Sequence, residues 1–319
     1  MPEFDIIKQY FQAATAQRAD VVLGIGDDCA ILQPPAGKQL AVSTDTLIAG
    51  VHFPEDTAAE DVGYKSLAVN LSDLAAMGAE PAWVMLALSL PAEDPAWLQQ
   101  FMQGFSELAR QYPLQLVGGD TTRGALSITV HVTGFVDPQL TLRRDGAKPG
   151  DSIYVSGYLG DAGLGLQKRL GQLSSGQGLD HCVSKLNRPQ PRIELAQLIK
   201  PFATSAIDIS DGLLADLGHI LEQSQCAAEI VLGQVPLSPE LQAYYGDSLD
   251  WQSILSAGDD YELCFTVAPG NETQIGSIAA AMDLPLTRIG EIKSGQGLVC
   301  LDHEQQPMNL SVAGYNHFE

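Results

Sequence analysis

Seven aspartates stand in or beside short apolar runs, six of them next to glycine, serine, threonine or another aspartate. They are Asp27 and Asp28 in GIGDDCA, Asp45 in VSTDTL, Asp73 in NLSDLAAMGA, Asp120 in VGGDTT, and Asp208 and Asp211 in IDISDGL. Singly, each reads as a turn or a helix cap. Asp211 before Gly212 could N-cap the following helix, and Asp120 could close a strand in an Asx-turn. The set reads differently. Asp45, Asp120 and Asp208 follow or end β-like runs, and open α/β sheets place ligand groups at strand ends. Carboxylates converging there repel, by about 4 kcal/mol for a pair roughly 4 Å apart at an effective dielectric near 20. Several magnesium ions would resolve this, since magnesium takes oxygen ligands and bridges carboxylates to substrate phosphates. Ser43, Thr44 and Thr46 flank Asp45 with further oxygens. Calcium is the competing ion, but no EF-hand loop of the D-x-[DN]-x-[DN]-G kind is present.

The usual nucleotide signatures are absent. The single Gly-Lys pair, Gly37-Lys38, is followed by glutamine, so there is no P-loop, and the HRD and DFG elements of protein kinases are missing. Triphosphate would have to be held by metals and backbone amides. Glycines in GIGDD and VGGD allow close approach of the chain to phosphate. GDAGLGL reads better as a helix start with close packing.

Composition narrows the partners. The chain has 319 residues, enough for two domains, and 45% apolar residues, enough for a large core. A net charge of −22 repels nucleic acid and anionic membranes, and it would repel a phosphate substrate unless bound cations reversed the field. The start, MPEFDIIKQYF, lacks the pattern of a signal peptide, and no apolar run approaches the ~18 residues of a membrane span. The five cysteines come no closer than the 36 residues between Cys264 and Cys300, which excludes a CxxC pair and fits a reducing cytoplasm.

The elements that must position these residues alternate between strand and helix, an α/β or α+β pattern with a separate mixed sheet in each half. LAVSTDTL, VMLALSL, LQLVGGD and LSITVHVTGFV are β-like, the last alternating over Ile128, Val130 and Val132. AAEDVGYKSLAVNLSDLAAMGA is helical, with Gly78 as its C′ residue. Asn70, Ser72 and Asp73 in the middle of this Ala- and Leu-rich helix require polar partners. A turn-rich segment with Arg143, Arg144, Lys148, Pro149 and Gly150 places the boundary between residues 1–147 and 148–319. Beyond it SIYVSG, SAIDIS, YELCFTV and LTRIGEI are strands. LGDAGLGLQKRL, PRIELAQLIKPF, DGLLADLGHILEQS and a stretch near NETQIGSIAAAMD are helices. Trp83 and Trp97 read as packing.

In this order, GIGDDCA, STDTL, NLSDLAAMGA, GGDTTR, RDGAKPGD, DISDGL, DDYELCF and GYNHF resemble the thiamine-monophosphate kinase family over almost the whole chain. That family belongs to the ATP-binding superfamily of aminoimidazole ribonucleotide synthetase. The resemblance implies a two-domain fold. Its N-terminal ATP- and Mg-binding domain forms a dimer-interface sheet, and its C-terminal α/β domain covers the active-site cleft. It implies ATP-dependent phosphorylation of thiamine monophosphate to thiamine diphosphate, with several magnesium ions, in a cytoplasmic homodimer. Residue by residue, it makes Asp28, Ser43, Thr44, Asp45, Asp73, Asp120 and Asp208 metal ligands, with Asp211 on a further metal. Gly119, Asp120, Arg144 and Ser210 would contact ATP, and His52, Asp259 and Tyr315 the thiamine phosphate. Asp259 stands where the family has glutamate, one methylene longer. Asp27 is read as the neighbour of Asp28 that faces away. Transfer would be direct and in line, with Arg144 stabilising charge and no covalent nucleophile. Two relatives in the superfamily fit less well. Selenophosphate synthetase needs a reactive residue near the N-terminus, whereas the first cysteine here is Cys29. The hydrogenase-maturation protein ends in cysteine, whereas this chain ends His317-Phe318-Glu319. An acidic metal-binding protein without catalysis is the alternative from another class.

Overall fold

The structure, a computed structural model, describes residues 7–11, 15–173 and 179–311. Two compact units emerge. The N-terminal unit runs through Leu74 and resumes over Ala79–Gln139, and the C-terminal unit takes Ala75–Gly78 and the chain from Leu140 onward.

In the N-terminal unit, β1 (Val21–Leu23) and β2 (Ile31–Leu32) pair antiparallel. They are followed by β3 (Gln39–Ile48), α1 (Ala59–Ala76), β4 (Glu80–Leu90), α2 (Pro95–Ala109), β5 (Gln115–Arg123) and β6 (Ser127–Val136). The four long strands form one mixed sheet in the order β3-β6-β4-β5, with β4 and β5 parallel and the other pairs antiparallel. The alternation expected for β6 holds, since Ile128, Val130 and Val132 are fully buried. These residues lie in register with Leu88, Leu86 and Val84 of β4, also buried, so this is the covered face. The other face keeps Leu40, Val42, Ile48 and Met85 exposed.

Helix α1 is buried on nearly every side. It crosses α2 with backbones almost touching: a Cβ on Gly63 would lie 1.9 Å from the Phe101 carbonyl oxygen, and one on Gly104 would lie 1.8 Å from that of Glu60. Gly78 closes α1 as expected, at φ +66°, with its amide bonded to the Ala75 carbonyl and that of Ala79 to Leu74. Helix α2 is an element the sequence reading did not assign. Asp94 caps it by accepting from the amides of Ala96 and Trp97, Pro95 opens it, and Leu98, Phe101, Phe105 and Leu108 bury its inner stripe. Trp83 and Trp97 both pack, edge-on to Phe135 and stacked on Phe101 respectively.

The C-terminal unit contains β7 (Ser152–Ser156), α3 (Asp161–Arg169), α4 (Leu179–Asn187), α5 (Ile193–Ile199), β8 (Ala203–Asp208), α6 (Leu213–Ser224) and β9 (Ala227–Val231). It continues with α7 (Pro239–Tyr245), α8 (Trp251–Ser256), β10 (Leu263–Val267), α9 (Glu272–Met282), β11 (Leu286–Lys293), β12 (Gly297–Leu301) and β13 (Pro307–Met308). Its sheet runs β13-β12-β9-β11-β7-β10-β8, with β9 and β12 parallel. The core joins Ile153 and Val155 of β7, Ile207 of β8, and Leu213, Leu214, Leu217 and Ile220 of α6. Strand β8 lies at the sheet's edge. Its Ala206 amide bonds instead to the Arg143 carbonyl, so the basic turn at 143–146 is docked on that edge.

Candidate functional site

The polar residues in the middle of α1 find their partners on β3. Asn70, fully buried, accepts from the Asp45 backbone amide at 3.0 Å through Oδ1 and donates to the Ser66 carbonyl at 3.0 Å through Nδ2. Because β3 is an edge strand, the Asp45 amide has no neighbouring strand on that side, and Asn70 stands in for one. Ser43 Oγ donates to Asp73 Oδ2. Ser43, Asp45 and Asp73 therefore form one group of hard oxygens between β3 and α1. Burial, and then the charge of Asp73, push the Asp45 pKa up to about 6. A carboxylate strained in this way gains from a cation beside it.

Strand alternation divides the rest of the expected set. Thr44 lies in the row Thr44–His131–Met85, and its Oγ1 is 2.6 Å from His131 Nδ1. That is the exposed face, so the Thr44 hydroxyl points away from Ser43 and Asp45. Asp120 belongs to the row Thr46–Thr129–Ala87–Asp120, again on the exposed face and on the opposite edge strand. Three strand spacings, roughly 14 Å, separate it from Asp45. The convergence of Asp45 and Asp120 expected from sequence does not occur within this unit. Among the described residues, no cluster of three or more His, Cys, Asp or Glu side chains is set to hold a metal. Gly119 is required by packing, since a Cβ there would fall 1.8 Å from the Leu86 carbonyl oxygen. Asp27 and Asp28 are exposed, and Asp27 accepts the Asp28 amide at 2.9 Å. His52 closes the turn after β3, its Nδ1 accepting from the Ile48 amide at 3.0 Å, which leaves the proton of the neutral ring on Nε2.

In the C-terminal unit, Asp208 ends β8 and is buried, and Ser210 and Asp211 form the loop into α6. A buried aspartate in the first turn of α6, Asp216, accepts both the Ser210 and the Asp211 amides on Oδ2 at 3.0 Å. Burial pushes its pKa up to about 7, against the lowering effect of those amides and of the Arg144 charge. Arg144 sits in the docked turn. Its carbonyl accepts from Ser224 Oγ at 2.7 Å, while its neighbour Arg143 is engaged by Asp145 through two bonds of 2.6 and 2.8 Å. Asp259 has φ +70° and donates its amide to the Ser210 carbonyl at 2.9 Å, so the DDYE loop lies against the DISDG loop.

The far side of the DDYE loop is anchored by ionic contacts. Glu262, buried, takes a forked ion pair from Arg192 and a 2.5 Å bond from Ser156 Oγ. Asp260 accepts the Gly160 amide at 3.0 Å, and burial drives its pKa well above the usual carboxylate range. Arg192, Asp260 and Glu262, with Asp161 and Lys185, line a cavity of about 410 Å³. Sequence reasoning missed Asp216, Arg192 and Glu262. An acid in the first turn of an otherwise apolar helix was the signal for the first. Tyr315 lies outside the described residues.

Residues 26–136 match the family model for the N-terminal domain of AIR synthase related protein, and residues 148–303 match that for its C-terminal domain. The two mixed sheets with their helices are thus those of the AIR synthase class. Thiamine-monophosphate kinase of Escherichia coli K12 is 46% identical over 99% of this chain and 98% of the relative. The crystal structure of thiamine-monophosphate kinase from Stenotrophomonas maltophilia K279a superposes with a TM-score of 0.87 at 48% identity, over 94% of this chain and 96% of that one. AaThiL complexed with AMPPCP and TMP superposes at 0.79 with 31% identity, over 92% of each chain. The chain belongs to the thiamine-monophosphate kinase family.

Proposed function

We propose that this protein transfers the γ-phosphoryl group of ATP to thiamine monophosphate, forming thiamine diphosphate. The observation that carries this reading is full-length similarity to kinases of that name, one of them solved with AMPPCP and TMP. The acceptor is a phosphate oxygen already ionised at neutral pH, so in-line attack needs alignment and charge neutralisation rather than a strong base or a covalent nucleophile. In the N-terminal unit, Ser43, Asp45 and Asp73 offer all-oxygen donors with a carboxylate whose pKa is raised, a set that suits magnesium better than a soft metal. Asp28 is a further ligand in this reading, and Thr44 and Asp120, whose side chains share the other face of the sheet, would take metal there, with Asp120 and Gly119 beside the nucleotide. In the C-terminal unit, Asp208 and Asp211 would take metal, and Arg144 and Ser210 would hold ATP phosphates. Magnesium, when bound, neutralises polyphosphate charge. His52, Asp259 and Tyr315 would contact the thiamine phosphate. The exposed apolar row of Leu40, Val42 and Met85 supports a homodimer through the outer face of the four-stranded sheet. Five unpaired cysteines support a cytoplasmic location.

The test is an ADP-release assay with magnesium and ATP, comparing thiamine monophosphate, thiamine and aminoimidazole precursors. Turnover should require thiamine monophosphate. Turnover with a precursor and none with thiamine monophosphate would overturn the assignment.

A further inference from the structure

The DISDG loop carries three residues of the proposed nucleotide and metal set, and its shape is fixed from outside. Gly212, at φ +105°, would put a Cβ 2.8–2.9 Å from the backbone of Leu255 and Ser256, and a Cβ on Gly258 would lie 2.2 Å from the Ser210 carbonyl oxygen. The loop is thus pressed on one side by α8 and the Gly258 turn. On the other side two of its amides, those of Ser210 and Asp211, converge on a single oxygen of Asp216. That side chain is 2% exposed, one turn into α6. The Arg144 backbone is clipped to the far end of α6 through Ser224. A single helix thereby registers both the loop and the basic turn.

We propose that Asp216 is a positioning residue for nucleotide binding. It orients Ser210 and Asp211 through their amides, without itself touching substrate. This rests on the reading of Ser210 and Asp211 given above. Removing the carboxylate frees the loop to turn its amides to water. Asp259, a proposed thiamine monophosphate contact, bonds to the Ser210 carbonyl rather than to its amide, and its own loop is anchored separately by Asp260 on the Gly160 amide and by Glu262 on Arg192, so it keeps its geometry.

Asp216→Ala removes the acceptor, whereas Asp216→Asn keeps an acceptor oxygen for the two amides. Steady-state kinetics are measured for both substrates, with calorimetric binding of AMPPCP in magnesium and melting temperature as readouts beside activity. The alanine variant should raise KM for MgATP and weaken AMPPCP roughly tenfold or more, with KM for thiamine monophosphate within about twofold of wild type. The asparagine variant should restore part of this, to about a two- to fivefold rise. If the alanine variant does not fold, the asparagine variant decides alone. Equal changes in both KM values, or none in either, would overturn the proposal. Wild-type protein inactive with thiamine monophosphate would instead sink the kinase reading, while the AMPPCP measurement still tests Asp216.

Discussion

Replacing Asp45 with asparagine should stabilise the metal-free protein at neutral pH and remove a pH dependence that the native chain carries. In the folded chain the Asp45 pKa is raised from 3.8 to about 6 by burial and by Asp73; in the unfolded chain it returns to the lower value. Between the two, the folded state holds a proton that the unfolded state has released. The resulting stability is present in full below the unfolded pKa and is lost as pH rises through 6. A difference of about 2 units, at 1.36 kcal/mol each, amounts to about 3 kcal/mol by pH 8. Asparagine has no proton to lose, and it can keep the backbone bond from Asp45 to Asn70 because that bond uses the amide. Thermal melts of both proteins in chelator-containing buffers from pH 4.5 to 8.5 test this. The variant's advantage should grow with pH to a gain on the order of 5–10 °C. Shifts at Asp216 and Asp260 are common to both proteins and drop out of the difference. Magnesium should reverse the order at pH 8 by favouring the native carboxylate, and the variant should lose kinase activity. A pH-independent difference between the two melting curves would refute the account of Asp45 as a strained carboxylate awaiting a cation.

Asn70→Ala removes the acceptor that serves the Asp45 amide on the free side of β3. Leaving that buried group unpaired should cost about 1–3 kcal/mol, read as a lower denaturation midpoint; unchanged stability would show that the strand edge does not depend on Asn70. Val42→Arg puts a charge in the exposed apolar row on the outer sheet face. If that face is the dimer interface, light scattering should show wild-type dimers and variant monomers, whereas a dimeric variant would remove this face from consideration.

The helix and strand pattern was legible where periodicity was strong, as in β6, or where punctuation was plain, as at Gly78. Helix α2 carried equally plain signals, an aspartate cap, a proline at its start and an apolar stripe, yet it lay between two strand assignments and was passed over. At the site, the most informative signal was incongruity. Asn70 and Asp73 are poor choices for the middle of a buried helix, and the demand for partners that this created was met at Asp45 and Ser43. Adjacency misled in the opposite direction. By adjacency Ser43, Thr44 and Asp45 read as one ligand set, although strand alternation alone sends the Thr44 side chain to the other face. The place of Asp120 could not have been found this way, because it follows from the pairing of β4 with β5 and of β4 with β6, both set by packing across the sheet. The aspartates are thus not one cradle in the N-terminal unit. Asp45 and Asp73 share a half-buried face with Ser43, while Asp120 stands on the exposed face with the Thr44 hydroxyl. Asp120 can therefore serve ATP or metal only from the side that carries Val42 and Met85, the same side proposed to meet a second subunit. Loss of dimer and loss of the Asp120 contribution should then go together, and Val42→Arg, which alters neither carboxylate, should depress kinase activity along with the association state.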